Sequence, residues 1–478
     1  MRVSGRVAPS LAVVTPGHHR MVISTPWGTE DFSGATRVQD ALGHLAGVTC
    51  WTNGSLGAFA TTTDPKEWVM DVWRSCPTSI IHQPTGVVVT SLREAVPSGE
   101  ESGCFVLADW LHSHGIPLGS FSSMAKASFL RSLYRPVTFY SDPEISRGAF
   151  YGGRQECRRP GRFQHMRLWD MTAAYPTAMA VRPVAAGLRK VPVTTTIDPD
   201  VPGLADATVW VDRDVSFGPL PLRLGDHAIC FPQGKFQGRW TWTEIAAAVA
   251  TGAEVTIESA WAPSKLVDPF TPWWEMMAPV RKLAGVAGVL GKVITNSLWG
   301  LFAMRGDERE RWTWPTGNLS TPQRSVLAPM PLPYSHTVHV AAEISSRVRV
   351  ELLRGIHDDR SSYPVHVDTD GIICRSTRQP PRGSSWRLKK TMTSVEIRAP
   401  QLYRYDCGSG CGITHPRWHY CASGITEKRA PFIFERTRPS LVSIEHVWDR
   451  VVPRIDAEDL EAIGEYLAQI TATEMEDA

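Results

Sequence analysis

Three features of the sequence predict a mixed α/β protein with more than one compact domain. Its 478 residues are enough for two or three cores rather than one. Short apolar runs that alternate as strands do are interleaved along the chain with stretches of helical period. Hydrophobic residues at 42% and charged residues at 21% describe an ordinary soluble composition. No apolar run reads as membrane-spanning and the N-terminus lacks a signal-peptide pattern, so the expectation is a cytoplasmic protein with no membrane partner. The nine cysteines lack the regular spacing of a disulfide framework. A net charge of +2 gives the whole chain only a weak field, so a nucleic-acid surface would need local clusters of Lys and Arg.

Residues 1–20 are polar, contain Gly and Pro, and read as a loose end. Residues 21–24 read as a strand, residues 79–81 and 87–90 as buried strands or as a strand and a helix start, and residues 105–114 as a helix closed by Gly115 and Pro117. Residues 120–134 read as a helix, followed by a boundary at Pro136, Pro143 and the stretch Ala149-Phe-Tyr-Gly-Gly-Arg-Gln-Glu156. There Gly152 and Gly153, beside Arg154, permit close backbone approach to a ligand; a plain interdomain turn uses the same residues. Arg158, Arg159 and Arg162 then make the chain locally basic.

Met166-Arg-Leu-Trp-Asp-Met-Thr-Ala-Ala-Tyr-Pro reads as a strand ending at Asp170, a turn, and a helix beginning near Pro176. An acid there suits catalysis, or equally an ordinary helix entry. Residues 197–224 read as strands and loops. Thr241-Trp-Thr-Glu244 has capping-box spacing for a helix ending before Gly252, and residues 255–257 return as a strand.

Residues 272–302 are the most helical, with Trp274, Met277, Arg281 and Lys282 first and Gly285, Gly288 and Gly291 loosening the middle. Lys292, Asn296 and Trp299 share one helix face, an arrangement that suits phosphates, sugar and base. Val293, Ile294 and Leu298 form the opposing core stripe. Residues 305–333 read as an inserted excursion, and residues 339–353 as a helix with Ala341, Ile344, Val348 and Leu352 inward.

That helix leads into Tyr363-Pro-Val-His-Val-Asp-Thr-Asp-Gly-Ile-Ile-Cys374, a hairpin with Asp368, Thr369 and Asp370 at its tip. Two carboxylates this close repel unless a cation joins them, and a divalent ion with oxygen ligands is the usual remedy. An Asp-rich turn is the plainer reading when the hairpin is taken alone. Residues 396–405 read as a strand. Cys407, Cys411, His415, His419 and Cys421 are zinc-ligand types, but their spacing fits no standard finger, and a Gly-tipped hairpin with incidental cysteines is favoured over a structural zinc site. Residues 456–472 read as an amphipathic helix.

Asp170-Met-Thr-Ala-Ala-Tyr-Pro176, Lys292-Val-Ile-Thr-Asn-Ser-Leu-Trp-Gly300 and Asp368-Thr-Asp-Gly371 stand in the order of the three polymerase motifs of family B DNA polymerases, which together they resemble. Phe150-Tyr-Gly-Gly153 resembles that family's Y-x-G-G element. The Phe231-to-Ile257 block and the excursion look most like the protein-primed branch of phages and linear plasmids. The resemblance covers about residue 120 to the C-terminus. It implies a right-hand polymerase with palm, fingers and thumb, preceded by a degenerate RNase H-like exonuclease domain. The expected boundaries are 1–20 for the loose end, 21–130 for the exonuclease-like domain and 131–478 for the polymerase domain. Within the last, the palm takes 145–185 and 335–400, an insertion 186–265, the fingers 266–302, a second insertion 303–334 and the thumb 401–478.

The resemblance implies two-metal phosphoryl transfer with Mg²⁺ or Mn²⁺. Asp170, Asp370 and the Met171 carbonyl correspond to metal ligands, and Asp368 stands near the primer end. Lys292 and Arg281 (or Lys282) correspond to triphosphate ligands, Asn296 and Tyr175 to groups lining the sugar, and Trp299 to the aromatic against the nascent pair. Gly152, Gly153, Thr369 and Tyr403 correspond to DNA contacts. The implied partners are DNA primer-template, deoxynucleoside triphosphates and, as one of several priming modes, a terminal protein.

The departures are Trp299 for Tyr, Gly371 for Ser, Phe150 for Tyr, and Gln401-Leu-Tyr403 for K-x-Y, which removes a primer-contacting lysine. The segments placed at the first two exonuclease motifs, Met21-Val-Ile-Ser-Thr-Pro-Trp-Gly and Ile81-His-Gln-Pro-Thr-Gly, carry no acid. Only Asp109 resembles the last, and one carboxylate does not assemble a two-metal site. The expected activity is therefore DNA-directed DNA polymerisation without 3′–5′ proofreading. The alternatives are a catalytically impaired nucleic-acid-binding relative and, more distantly, a metal-dependent nuclease.

Overall fold

The computed structural model describes most residues between 11 and 435. Residues 1–10 and 436–478 are not described, nor are short internal stretches, the longer of them 92–99, 314–322, 328–336, 359–363, 376–380, 408–417 and 423–430. The expected helix at 456–472, Cys411, His415 and most of the region assigned to a thumb lie outside the described residues. The chain divides into two compact units, one of residues 1–139 and 267–338, the other of residues 140–266 and 339–478. The segment assigned to fingers therefore groups with the N-terminal domain.

In the first unit, the strands among the described residues form a nine-stranded sheet. One end of it is an antiparallel meander, Leu11–Gly17, Arg20–Thr25 and Gly28–Ser33. The helix Ala35–His44 then crosses over, so that Thr49–Thr52 returns parallel to Leu11–Gly17, and Val87–Ser91 lies parallel beyond it. This is the RNase H-like arrangement. It corrects the reading of residues 1–20 as loose: Leu11, Ala12, Val13 and Val14 are buried in the first strand. It also moves the exonuclease comparison, because the first strand of the core is Leu11–Gly17 rather than residues 21–24. The conclusion is unchanged, since none of the three mutually parallel strands carries an acid. Asp109, the remaining candidate, is exposed on the helix Ser102–Ser113.

The excursion after residue 303 contributes two strands to this sheet. Arg309–Thr313 pairs with Trp68–Trp73, and Gln323–Val326 adds the outermost strand.

The helices of this unit include Ser102–Ser113, Phe121–Ser132, Phe270–Met277 and Gly285–Ala303. Phe129, Phe270 and Phe302 pack with ring centroids 5.3–5.7 Å apart, and the Trp273 indole donates to Ser128 Oγ at 3.0 Å. The glycines of Gly285–Ala303 are contact points, not loosening elements. A Cβ on Gly288 would lie 2.2 Å from the Leu283 carbonyl oxygen and one on Gly291 2.6 Å from that of Val280. Both let the one-turn segment Ala278–Lys282, which carries Arg281, lie directly on the helix. Val293, expected in the core stripe, is only half-buried, whereas Ile294 and Leu298 are buried. Contrary to the sequence reading, this helix is long and apolar enough by composition to cross a membrane; half of it is buried inside the protein.

The second unit holds a seven-stranded antiparallel sheet in the order 419–422, 402–406, 386–399, 161–171, 371–374, 364–369, 154–157. The stretch 396–405 is two strands, not one, folded at Gln401 with φ 59°. Beside this sheet, Val338–Ile356 is buried along most of its length. A four-stranded sheet and the helix Trp242–Ala250 enclose a separate core around Trp240 and Trp242. The expected capping box closes that helix, Thr241 Oγ1 accepting from the Glu244 amide at 3.3 Å.

Gly288→Ala forces a methyl onto a backbone carbonyl and is expected to destabilise by about 1–3 kcal/mol in chemical unfolding. On the same helix, a methyl added at Gly300 would meet no atom within 4 Å. Gly300→Ala is expected to stabilise by roughly 0.5–1 kcal/mol in the same measurement.

Candidate active site

The central strand Gly161–Met171 places Asp170 one residue from its end. Its neighbours across the sheet are Gly371 on one side and Arg387 on the other. The hairpin of Pro364–Thr369 and Gly371–Cys374 turns at Thr369 and Asp370, so its tip lies beside Asp170. The Met171 amide donates to the Asp370 carbonyl at 2.8 Å and locks the strand end to the tip. Asp170 is buried, whereas Asp368 and Asp370 are half-buried. Asp170, Asp368, Asp370 and Met171 are thus brought together as expected.

Thr369 sits at φ 56°, a left-handed conformation unfavourable for a β-branched residue. Its surroundings hold it there. A Cβ on Gly153 would stand 2.7 Å from Thr369 Cγ2 and 3.1 Å from the Tyr175 hydroxyl, so only glycine admits this approach. Gly153, Thr369 and Tyr175 therefore meet, Tyr175 being buried at the start of Ala174–Ala180. On the other flank, the Gln401 side chain donates to Asp368 Oδ1 at 3.3 Å, and its amide donates to His366 Nε2 at 3.1 Å. Burial pushes His366 down to about 4, against the pull of Asp368, so the ring is neutral and accepts that bond.

Two expected ligand-facing groups have other duties. Arg154 is buried, paired with Glu156 and laid 4.0 Å over the Phe231 ring. Tyr403 is buried edge-on to His366 at 5.2 Å and hydrogen-bonded to Cys421, so it supports the hairpin instead of presenting a DNA-facing surface. Of the cysteine cluster, Cys407 Sγ lies 3.2 Å from His419 Nε2, in direct contact.

Several residues that shape the site carry no motif in the sequence. Arg349, on the buried helix, bonds to Glu244 at 2.8 Å and to the carbonyls of Tyr151 and Gly152 at 2.6 Å each, which fixes the glycine loop. Arg347 spans Glu343 and the carbonyls of Ala178, Arg182 and Pro183, closing the end of the Tyr175 helix. Lys389 donates to Asp170 Oδ1 at 2.7 Å and Arg387 to Oδ2 at 3.1 Å. A run of charges (Arg347, Arg349, Glu351) within an otherwise inward-facing helix is the available signal for the two arginines.

The remaining expected residues lie on Gly285–Ala303 and just before it. Lys292 and Asn296 are exposed on one face and Trp299 is half-buried. Arg281 donates to Thr295 Oγ1 at 2.7 Å and to Asn296 Oδ1 at 3.0 Å, tying the two positions together; Lys282 is exposed.

The electrostatics suit a divalent cation. Burial first, then the charge of Asp170 and, more weakly, of Asp368, push Asp370 up to about 7, with Lys389 opposing. A carboxyl that surrenders its proton reluctantly beside two other acids is a site short of positive charge, and hard oxygen donors fit Mg²⁺ or Mn²⁺. Among the described residues no three His, Cys, Asp or Glu side chains are already gathered around one point.

No family model matches the chain. It is 27% identical over 138 residues to the DNA-directed DNA polymerase of Enterobacteria phage PRD1, a match spanning 25% of either protein. Its fold matches phi29 DNA polymerase, at TM-score 0.63 and 11% identity over 89% of this chain and 95% of that one. Against phi29 DNA polymerase complexed with primer-template DNA and incoming nucleotide substrates, the values are 0.65 and 12%, over 90% and 94%. The chain has the fold of a protein-primed family B DNA polymerase. In this polymerase fold the seven-stranded sheet is the palm and carries the three acids.

Arg349→Met leaves the buried Glu244 without its partner and is expected to cost about 3–5 kcal/mol in chemical unfolding, part of it recovered by adding Glu244→Gln. Between the ordinary carboxylate range and about 7, folded Asp370 keeps a proton that the unfolded chain has lost, so its contribution to stability falls as pH rises. Urea midpoints of the metal-free protein should therefore fall less steeply between about pH 5 and 7 in Asp370→Asn than in the wild type.

Proposed function

We propose that the chain is a DNA-directed DNA polymerase that adds deoxynucleotides to a primer 3′ end and lacks 3′–5′ proofreading. The observation that carries this reading is the convergence of Asp170, Asp368 and Asp370 at one end of the palm sheet, on a fold shared with phi29 DNA polymerase.

Asp170 and Asp370 would hold two Mg²⁺ or Mn²⁺ ions, with the Met171 carbonyl beside them; bound there, the ions supply charge for the attacking 3′-oxygen and the departing pyrophosphate. The chain's own residues do the rest. Met171 and Gln401 fix the hairpin tip, so the acids keep their spacing as charge develops. Tyr175, packed beneath Gly153, forms a wall against a 2′-hydroxyl and favours deoxynucleotides. Lys292 and Arg281 would take the triphosphate, with Asn296, oriented by Arg281, at the sugar and Trp299 at the nascent pair. Gly152 and Thr369 would follow the DNA backbone. The acid-free parallel strands of the RNase H-like domain support the loss of proofreading, because hydrolysis by two metals needs several carboxylates. A terminal protein is one route to the first 3′ end.

A binding-only relative is the second reading. It is favoured by the engagement of both Asp170 oxygens by Lys389 and Arg387 and by Gln401 where a lysine is expected. Retention of all three acids opposes it, since binding alone does not require them.

The test is primer extension by the purified protein with Mg²⁺ and dNTPs, beside Asp370→Ala and a mismatched 3′ end. Extension by the wild type alone, with the mismatch left in place, is expected. Primer-template binding without extension, protein-primed initiation included, would leave the binding-only reading standing, and excision of the mismatch would sink the proofreading claim.

A further inference from the structure

Asp170 is doubly engaged by cations of its own chain. Its Oδ1 accepts from Lys389 Nζ at 2.7 Å and its Oδ2 from Arg387 Nη2 at 3.1 Å. The strand Trp386–Ala399 brings both. Arg387 stands directly opposite Asp170, and the register slips between Leu388 and Lys390, leaving Lys389 as the extra residue of a bulge. Bulges re-aim side chains, and here the outcome is a second cation on a carboxylate that already has one.

The two partners differ from the structural arginines nearby. Arg349 is 3% exposed and held by three acceptors, whereas the side chains of Lys389 and Arg387 are 47% and 54% exposed. Lys389 has a long flexible stem with water at hand, so it can leave Asp170 at little cost. Its charge also reaches Asp370, the second acid of the cluster. An ammonium 2.7 Å from Oδ1 repels a divalent ion seeking the same oxygen.

We propose that Lys389 is a tethered competitor for the divalent-cation position on Asp170. It is a positioning residue: it holds the carboxylate in place while the position is empty and swings into solvent when an ion enters. The inference rests on the metal-dependent palm proposed above and adds the residue that sets how readily that palm takes up metal.

The test uses the full chain without DNA or nucleotide, titrated with Mn²⁺ at low ionic strength and followed by the electron paramagnetic resonance signal of the free ion. Lys389→Met and Lys389→Gln are expected to bind the Asp170-dependent ion roughly fivefold tighter than the wild type, the upper end for a half-exposed ion pair. Lys389→Arg, which keeps the charge, is expected to bind as the wild type does, and Asp170→Asn to lose the site. Equal or weaker binding by both uncharged variants, with an Asp170-dependent site present in the wild type, overturns the proposal and leaves the polymerase reading intact. Absence of Asp170-dependent binding in every protein overturns the metal reading and this inference together.

Discussion

Three carboxylates at one end of a sheet repel one another, and the palm is built around containing that repulsion. The fold brings Asp368 and Asp370 together on a tip that the left-handed Thr369 makes sharp, and sets Asp170 beside them on the neighbouring strand. Without other support the tip would open, because neither the turn conformation nor the charges favour it. It is held by backbone and amide groups instead: the Met171 and Gln401 donors, and the glycine loop pressed against Thr369. None of these donors carries charge; the cations at hand are Lys389 and Arg387, and both are on Asp170.

The loop that presses on the tip is itself held from beneath. Arg349 and Arg347, two residues apart on a buried helix, reach opposite sides of the palm, one to the glycine loop and the other to the end of the Tyr175 helix. Each is paired with a buried acid, Glu244 or Glu343. Buried pairs of this kind add little net stability over apolar packing, but removing one partner is severe. Their value here is geometric: one rigid helix sets the height of both walls around the acids.

Much of this is legible in the sequence. Asp170, the Asp368-Thr-Asp370 tip and the Lys292 face announce themselves because short-range patterns, a strand end, a turn and a helical stripe, are what sequence reading resolves. The glycine pair is legible as a close approach, although not what it approaches, since Thr369 lies more than two hundred residues further on. Arg349 and Lys389 are not, because their roles come from long-range packing and from a strand bulge, and neither has a local signature. Tyr403 and Arg154 mislead for the same reason: a motif position says nothing about burial. The strand Leu11–Gly17 escapes notice because its short apolar run is followed by Pro and Gly, which read as punctuation.

The nine-stranded sheet has a consequence for how the chain is made. Its strand Trp68–Trp73 pairs on one side with Cys76–His82 and on the other with Arg309–Thr313, which leaves the ribosome more than two hundred residues later. Throughout synthesis of the intervening palm segment that edge has no partner, and an unpaired strand edge is the part of a nascent chain most prone to join another chain. The first unit is not complete when its N-terminal segment has been made, because it also takes in residues 267–338. The first domain to emerge is completed only when a hairpin encoded beyond the fingers joins it.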